Sequence, residues 1–310
     1  MSAASNFNLA VIGGGLAGLS AGVCAAANGA SVVCFEPAPL FGGLVANIGR
    51  LDDYPGAGDL AGVSLAEQLV GRAKALDVTF VGERVTSLDA NGDATILRTA
   101  ATTYSTKVTI VASGARLREL GVPGERELIG RGVSQCDWCD GSLYRGQQVA
   151  VVGGGNAAVQ AALHLAELCA KVTVIARAGS LRARRDYVLR AADNPKIEFL
   201  WETAVDQILG TDGVQGLRLR ALPDNASTEF ACAAVFIFVG LAPNLEFAPA
   251  LNRDDAGFAI TDASYRSSMP RVFVIGAARN GNGGSLLSAM GEAMTAATTA
   301  IADLRRADEI

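Results

Sequence analysis

The sequence predicts an α/β protein built from two Rossmann-like dinucleotide-binding domains, the second inserted into a discontinuous first, and three observations carry that prediction. A short apolar run leads into the glycine loop Gly13-Gly14-Gly15-Leu16-Ala17-Gly18. The same arrangement returns at Gly153-Gly154-Gly155-Asn156-Ala157-Ala158, so the chain contains an internal repeat. Between the two loops, just upstream of the second, stands a Cys-x-x-Cys pair, Cys136 and Cys139.

The elements follow in order. Asn8 to Ile12 reads as a short buried strand, Leu16 to Ala27 as an Ala-rich helix, and Ser31 to Phe35 as a second strand, which is the beginning of a βαβ unit. The repeat supplies a strand at Gln148 to Val152, a loop at Gly153 to Ala158, a helix at Val159 to Cys169 and a strand at Lys171 to Ile175. A strand at Glu198 to Trp201, a Gly-punctuated hairpin around Gly210 to Arg220 and the apolar strand Ala234 to Val239 come next, ended by Gly240-Leu241-Ala242-Pro243-Asn244. Residues 245 to 310 are too few for an independent domain of this type. They hold a strand at Val272 to Ile275, a glycine turn and a long Ala-rich helix from about Leu286, and are expected to return and complete the first domain. The predicted domains are 1–113 with 244–310, and 114–243.

A chain of 310 residues, half of them hydrophobic, is long enough to give two such domains a core each. The net charge of -5 is dispersed and Lys and Arg form no long run, which speaks against a nucleic-acid surface or a polybasic membrane patch. Residues 1 to 49 contain no Lys or Arg, a poor fit to a secretory leader, and the best apolar run, Cys232 to Pro243, is too short to cross a membrane. A cytoplasmic protein is expected, with small molecules or another protein as partners. Cys24, Cys34, Cys169 and Cys232 lie in apolar segments and read as buried, reduced thiols.

In the first loop Gly13 allows a tight turn, Gly15 lets the backbone approach a pyrophosphate, and Gly18 lets helix and strand pack closely. Glu36 ends the next strand, where a carboxylate can bind a ribose diol. The second loop has Ala158 in the third glycine's place, and beyond its next strand come Arg177, Arg182, Arg184 and Arg185. Cations there suit a 2′-phosphate, so NADPH is expected rather than NADH; a solvated basic turn is the plainer alternative. Cys136 and Cys139 could be a redox pair, half of a zinc site or a coincidence. Zinc would need two further ligands, the only histidine is His164, and the other cysteines form no second pair, so no metal is expected. Reducing a disulfide releases a thiolate that must be protonated. His164 belongs to the helix after the second loop and is expected to be structural and away from the pair. Asp140, beside Cys139, is the better candidate acid if burial lets it hold a proton, although it could simply cap a helix. Two dinucleotide loops and one dithiol together describe a relay of electrons from nicotinamide through flavin to a disulfide.

With Gly42-Gly43, Tyr54-Pro55-Gly56, Ala112-Ser113-Gly114, Val133-Ser134-Gln135-Cys136-Asp137-Trp138-Cys139-Asp140-Gly141 and Gly240 to Asn244, these motifs stand in an order that resembles the low-molecular-weight thioredoxin reductase family over nearly the whole chain. The resemblance implies FAD in the discontinuous domain and NADPH in the inserted one. It implies flavin-site positions at Gly13, Gly15, Leu16, Ala17, Gly18, Glu36, Gly43, Leu44, Val85, Ala112, Gly114, Gly276, Ala277 and Leu286. For NADPH it implies Gly153, Gly155, Asn156, Ala157, Arg177 and Arg182. Cys139 would face the flavin, Cys136 would attack the substrate disulfide, and Asp140 would be the acid. A thioredoxin-like protein or small disulfide is the implied substrate, a homodimer the implied assembly, and a rotation between domains, hinged near residues 114 and 243, the implied motion.

The chain departs from that family on the flavin side. Gly42-Gly43-Leu44-Val45 stands for Gly-Gly-Gln-Leu, Gly276-Ala277 for Gly-Asp, and Gly284-Ser285-Leu286 for Arg-Gln-Ala. Each lost polar contact is expected to cost on the order of 1 kcal/mol of cofactor binding, and the glycine-rich stretch Asn280 to Ser285 is expected to leave the flavin more exposed or differently tuned. Two other functions remain open on these residues. One is a flavin-dependent dithiol oxidase using oxygen, which has little use for Arg177 and Arg182; the other is a flavin-binding sensor without turnover.

Overall fold

The computed structural model describes residues 6–51, 54–55, 59–282 and 284–310. The chain separates into two compact units, Met1–Arg116 with Ala242–Ile310, and Leu117–Leu241.

In the first unit the strands Thr79–Val81, Val32–Phe35, Asn6–Ile12 and Thr103–Val111 lie side by side in parallel. The antiparallel hairpin Ser87–Asn91 and Ala94–Arg98 extends the sheet, and Val272–Val274 pairs in parallel with Thr103–Val111, so the C-terminal segment contributes a strand to this sheet. Successive side chains of a strand point to opposite faces, and both faces here are covered. Leu9 and Val11 pack with Ala21 and Ala25 of the Leu16–Ala27 helix and with Ala293, Ala296, Ala297 and Ala300 of the Leu286–Arg306 helix. Ala10 and Ile12 face the other core, with Val33, Phe35, Leu88, Leu97 and Leu251. The alanine-rich stripes let the first and last helices approach closely. Ser285 caps the last one, its side chain accepting the Ser288 N–H at 3.4 Å. One part of this core is polar: Thr95 Oγ1 lies 2.8 Å from Thr106 Oγ1 and 2.7 Å from Thr109 Oγ1, all fully buried or nearly so.

In the second unit a parallel sheet runs Ile197–Leu200, Lys171–Ile175, Gln148–Val152, Ala234–Ile237, Val133–Ser134. Val149 and Val151 meet the Asn156–Leu168 helix on one face, while Ala150 and Val152 meet the antiparallel sheet Thr203–Gly210, Val214–Ala221, Ser227–Ala231 on the other. The helix expected from Val159 begins earlier, at Asn156, because the turn ends at Gly155 and Asn156-Ala157-Ala158 already form its first turn. The short segments Ala115–Leu117 and Leu241–Pro243 pair as a two-stranded ribbon. Among the described residues no helix is long and apolar enough to cross a membrane.

Candidate active site

The first glycine loop joins the Asn6–Ile12 strand to a helix whose N-cap is Gly15, and no side chain caps that helix. Its first-turn N–H groups are therefore left for an anion. Gly18 has no room for a side chain: an added Cβ would sit 1.9 Å from the Gly13 carbonyl oxygen. Leu16 and Ala17 are buried beneath the loop. Gly42 donates its N–H to the Gly14 carbonyl at 2.8 Å, which brings Gly43 and the exposed Leu44 beside the loop. The Glu36 carboxylate accepts the Gly14 N–H at 2.7 Å on one oxygen and the Ala38 N–H at 2.8 Å on the other. It is thus fixed at the loop, with acceptor capacity left on each oxygen for a sugar hydroxyl. Ala112, whose N–H bonds the Ile12 carbonyl at 2.8 Å, and Gly114 follow the adjacent strand. Val85 is packed in the core, which leaves its backbone rather than its side chain to a ligand, and Leu286 packs on Leu16, Leu51 and Leu65. Tyr54 and Pro55 are partly buried and exposed respectively; Gly56 lies outside the described residues.

Gly276 and Ala277 sit in the short turn Gly276–Ala278 that follows the Val272–Val274 strand. The family's aspartate is missing here, but a carboxylate is close by. Glu292, only 5% exposed, accepts the Gly276 N–H at 2.7 Å on one oxygen. Its other oxygen accepts from Arg279 Nη1 and Asn282 Nδ2, both at 2.9 Å. Arg279 is in turn tied to Thr261 Oγ1 at 3.0 Å. The glycine-rich stretch from Asn280 to Ser285 is therefore pinned at Asn282, which is itself buried; Gly283 lies outside the described residues. Glu292 was legible in principle. It falls on the helix face shared by the buried Ala293, Ala296, Ala297 and Ala300, where an acid needs a partner.

In the second unit Gly155 is the N-cap of the Asn156–Leu168 helix, again without a side-chain cap. An added Cβ on Gly155 would meet nothing within 4 Å, so the space above this loop is open. Arg182 donates its backbone N–H to the Gly154 carbonyl at 2.8 Å, and Asn156 Oδ1 accepts the Arg184 backbone N–H at 2.7 Å. These bonds hold the arginine-bearing turn against the glycine loop, with Arg177 and Arg182 exposed. Uncapped helix N-termini behind glycine loops fit the phosphates of dinucleotides in both units, and Glu36 fits the ribose of one.

The redox pair sits at the start of the four-residue helix Asp137–Asp140. Cys136 and Cys139 are joined as a disulfide with Cα atoms 5.3 Å apart, Cys139 being the more exposed of the two. Cys136 Sγ accepts the Cys139 N–H at 3.1 Å. Asp140 Oδ2 accepts the buried Ser134 hydroxyl at 2.6 Å, and Ser134 Oγ also receives the Cys136 N–H at 3.0 Å. Asp140 occupies the N-cap position of the following Gly141–Tyr144 turn but makes no capping bond; its carboxylate is bonded to Ser134 instead. Burial, with the Asp140 charge adding to it, pushes the Tyr144 hydroxyl above the usual tyrosine range. The expectation that His164 lies away from the pair is overturned. Its Nδ1 lies 2.8 Å from Asp137 Oδ2, and its ring stacks on Trp138 at 3.8 Å, so the lone histidine contacts both residues between the cysteines. Twenty-seven positions separate it from Asp137, and nothing in the sequence spacing links them.

The remaining cysteines are set apart by their surroundings. Burial, reinforced by the Glu36 charge, pushes the Cys34 thiol up to about 12, and burial alone pushes Cys232 up to about 12. Burial also raises Cys24 and Cys169. A thiol far above its ordinary value carries almost no thiolate near neutrality and is a poor nucleophile. After mild reduction, brief iodoacetamide treatment of the folded protein at pH 8 is expected to label Cys136 and Cys139 and leave the other four unmodified by mass spectrometry. Labelling of Cys34 or Cys232 at a comparable rate would contradict this.

Comparison with known proteins agrees with the geometry. The family model for pyridine nucleotide-disulphide oxidoreductases matches residues 7–302. Thioredoxin reductase of Treponema pallidum is 33% identical over 276 residues, 89% of this chain and 90% of that protein. Thioredoxin reductase of Peptoclostridium acidaminophilum is 32% identical over 302 residues, covering 95% and 96%. Among solved structures, Lactococcus lactis thioredoxin reductase superposes with a TM-score of 0.93 at 32% identity, covering 97% of this chain and 99% of that one. Two glycine loops, an intact cysteine pair and these likenesses converge: the chain belongs to the pyridine nucleotide-disulphide oxidoreductase family, as a flavoprotein disulfide reductase served by flavin and nicotinamide cofactors.

Proposed function

We propose that this protein passes electrons from NADPH through FAD to the Cys136–Cys139 disulfide and on to the disulfide of a thioredoxin-like protein. FAD is assigned to the unit formed by Met1–Arg116 and Ala242–Ile310, and NADPH to the unit Leu117–Leu241. The observation that carries the reading is the redox turn itself, a disulfide whose flanking Asp140 is bonded to Ser134 and which lies in the same unit as the second glycine loop. When bound, the flavin would take a hydride from the nicotinamide and return two electrons to the disulfide.

The chain's own residues then have separate tasks. In the first unit Glu36 would hold the adenosine ribose, and the uncapped N-terminus of the Leu16–Ala27 helix the pyrophosphate. The family's aspartate contact is absent at Ala277, and Glu292 keeps the Gly276 turn in place from behind. In the second unit the helix N-terminus at Gly155 would take the NADPH pyrophosphate, while Arg177 and Arg182 would pair with the 2′-phosphate. At the redox turn Cys136 would attack the substrate disulfide, Cys139 would receive electrons from the flavin, and Asp140 would supply the proton to the leaving thiolate. The names of the relatives compared above support thioredoxin as the kind of substrate.

An anaerobic titration tests the reading. NADPH is expected to bleach the flavin absorbance of the purified protein, and an oxidised thioredoxin is expected to restore it. Replacing Arg177 and Arg182 together by Ala should raise KM for NADPH roughly tenfold or more while leaving KM for NADH within about twofold, since a charge-assisted bond to a phosphate contributes about 1.5–3 kcal/mol. Flavin that ignores NADPH yet is bleached by small dithiols would overturn the reductase in favour of a dithiol oxidase.

A further inference from the structure

We propose that His164 is a positioning residue of the redox turn, holding both residues between the cysteines so that Cys136 and Cys139 stay in ring-closing geometry while their disulfide is open. The inference rests on Cys136–Cys139 being the redox pair and concerns what keeps that pair in register.

The turn Asp137–Asp140 is a four-residue helix, and an isolated helical turn does not hold itself, because it fixes several dihedral angles for a single hydrogen bond. In the oxidised protein the Sγ–Sγ bond ties it. Reduction adds two electrons and two protons, breaks that bond and leaves two thiols, so the covalent tie is lost at the stage when the pair must act. Two of the remaining ties come from His164 on the neighbouring Asn156–Leu168 helix. A carboxylate can only accept, so His164 Nδ1 carries the hydrogen and donates it to Asp137 Oδ2 at 2.8 Å. Both side chains are only 14% exposed, which shields the bond from water. The His164 ring lies parallel to Trp138, 13° between planes and 3.8 Å between centroids, and the indole is itself 46% exposed. Gly141 lets the whole turn sit down on this helix: a Cβ there would come within 2.9 Å of Leu165 Cδ2. The third tie, Asp140 to Ser134, secures the far end of the turn.

The geometry matters for the second half of turnover. One thiolate attacks the substrate disulfide, forming a mixed disulfide and releasing the first substrate thiol. The other then attacks the mixed disulfide, re-forms the Sγ–Sγ bond and releases the second thiol. The driving force for that closure is the effective concentration of one sulfur at the other, which a fixed turn raises and a loose one lowers.

The test is the midpoint potential of the pair in the flavin-loaded protein, equilibrated in glutathione redox buffers and read by thiol alkylation and mass spectrometry. His164→Ala removes one hydrogen bond to a carboxylate and one ring stack. It is expected to weaken ring closure about tenfold, an upward shift of about 30 mV for a two-electron couple. His164→Gln, whose amide can reach Asp137, is expected to recover at least half of the shift. Removing His164 also leaves the Asp137 charge without its partner, which would pull the potential the opposite way. The comparison is therefore repeated in an Asp137→Asn background, where the upward shift is expected to persist. A glutamine variant no better than alanine, or an unshifted potential when His164 is replaced by Ala in the Asp137→Asn background with circular dichroism intact, would each overturn the proposal. A pair that fails to titrate even in the unsubstituted protein would instead sink its assignment as the redox centre.

Discussion

Replacing Cys139 by Ser is expected to lower disulfide reduction by a thousandfold or more, on the order of what is seen when one member of a concerted catalytic group is removed. NADPH should still bleach the flavin in this variant. The physical reason is that a single sulfur can accept neither the two-electron ring opening nor the ring closure that frees the substrate. Cys136, left alone, would form a mixed disulfide and stop there. Cys139 is the exposed member of the pair and its N–H binds Cys136 Sγ, so serine fits the turn and a folding defect is not expected to obscure the result. Stopped-flow reduction of the flavin by NADPH, set beside steady-state turnover with a thioredoxin, separates the two half-reactions. Retention of thioredoxin turnover would mean that electrons leave the flavin by another route and that the dithiol is not on it.

Gly18→Ala is expected to strip the flavin from the protein and lower its stability by several kcal/mol. Overpacking a well-filled core costs about 1–3 kcal/mol even where side chains can give way. Here the added Cβ would meet backbone, 1.9 Å from the Gly13 carbonyl oxygen, with Val11 Cγ1 at 3.1 Å behind it. Either the first helix or the strand it packs on must shift, and both line the loop that would receive the pyrophosphate. Gly155→Ala is the contrast, because a Cβ there enters open space. Its melting temperature should stay within about 2 °C of the parent, as for substitutions that meet no packed neighbour, while affinity for NADPH falls because only the ligand occupies that space. Flavin content and thermal melts of the two variants check both statements. A stable, fully flavinated Gly18→Ala protein would show that the loop has slack the packing does not reveal.

Much of the architecture could be read from the chain alone, for reasons that differ by element. The first helix was expected at Leu16 to Ala27 and occurs there, and the strands at Gln148 to Val152 and Lys171 to Ile175 also fall where expected. In these segments glycine loops mark the ends, and strands buried on both faces are uninterrupted apolar runs. The stretch between the first βαβ unit and the redox turn was opaque. The Gly62–Lys74 helix is amphipathic without a side-chain cap, and the Thr103–Val111 strand carries threonines into the core, where Thr95, Thr106 and Thr109 satisfy one another. Hydrophobic periodicity cannot see a buried polar group whose partner lies on another strand.

The sequence by itself determined the two glycine loops, the cysteine pair and the aspartate beside it, because each is a local pattern of residue type and spacing. Only the tertiary structure decided what surrounds them. The parallel register that sets Val133 beside Val235, and Ala234 beside Val149, lays the redox turn against the helix that follows the second loop, and so gives Asp137 and Trp138 a histidine twenty-seven positions away. In the same way the last helix returns Glu292 to Gly276, Arg279 and Asn282, holding a turn whose own aspartate is missing. Both contacts join residues whose proximity is set by how strands align and helices pack, and a linear pattern carries no record of that distance.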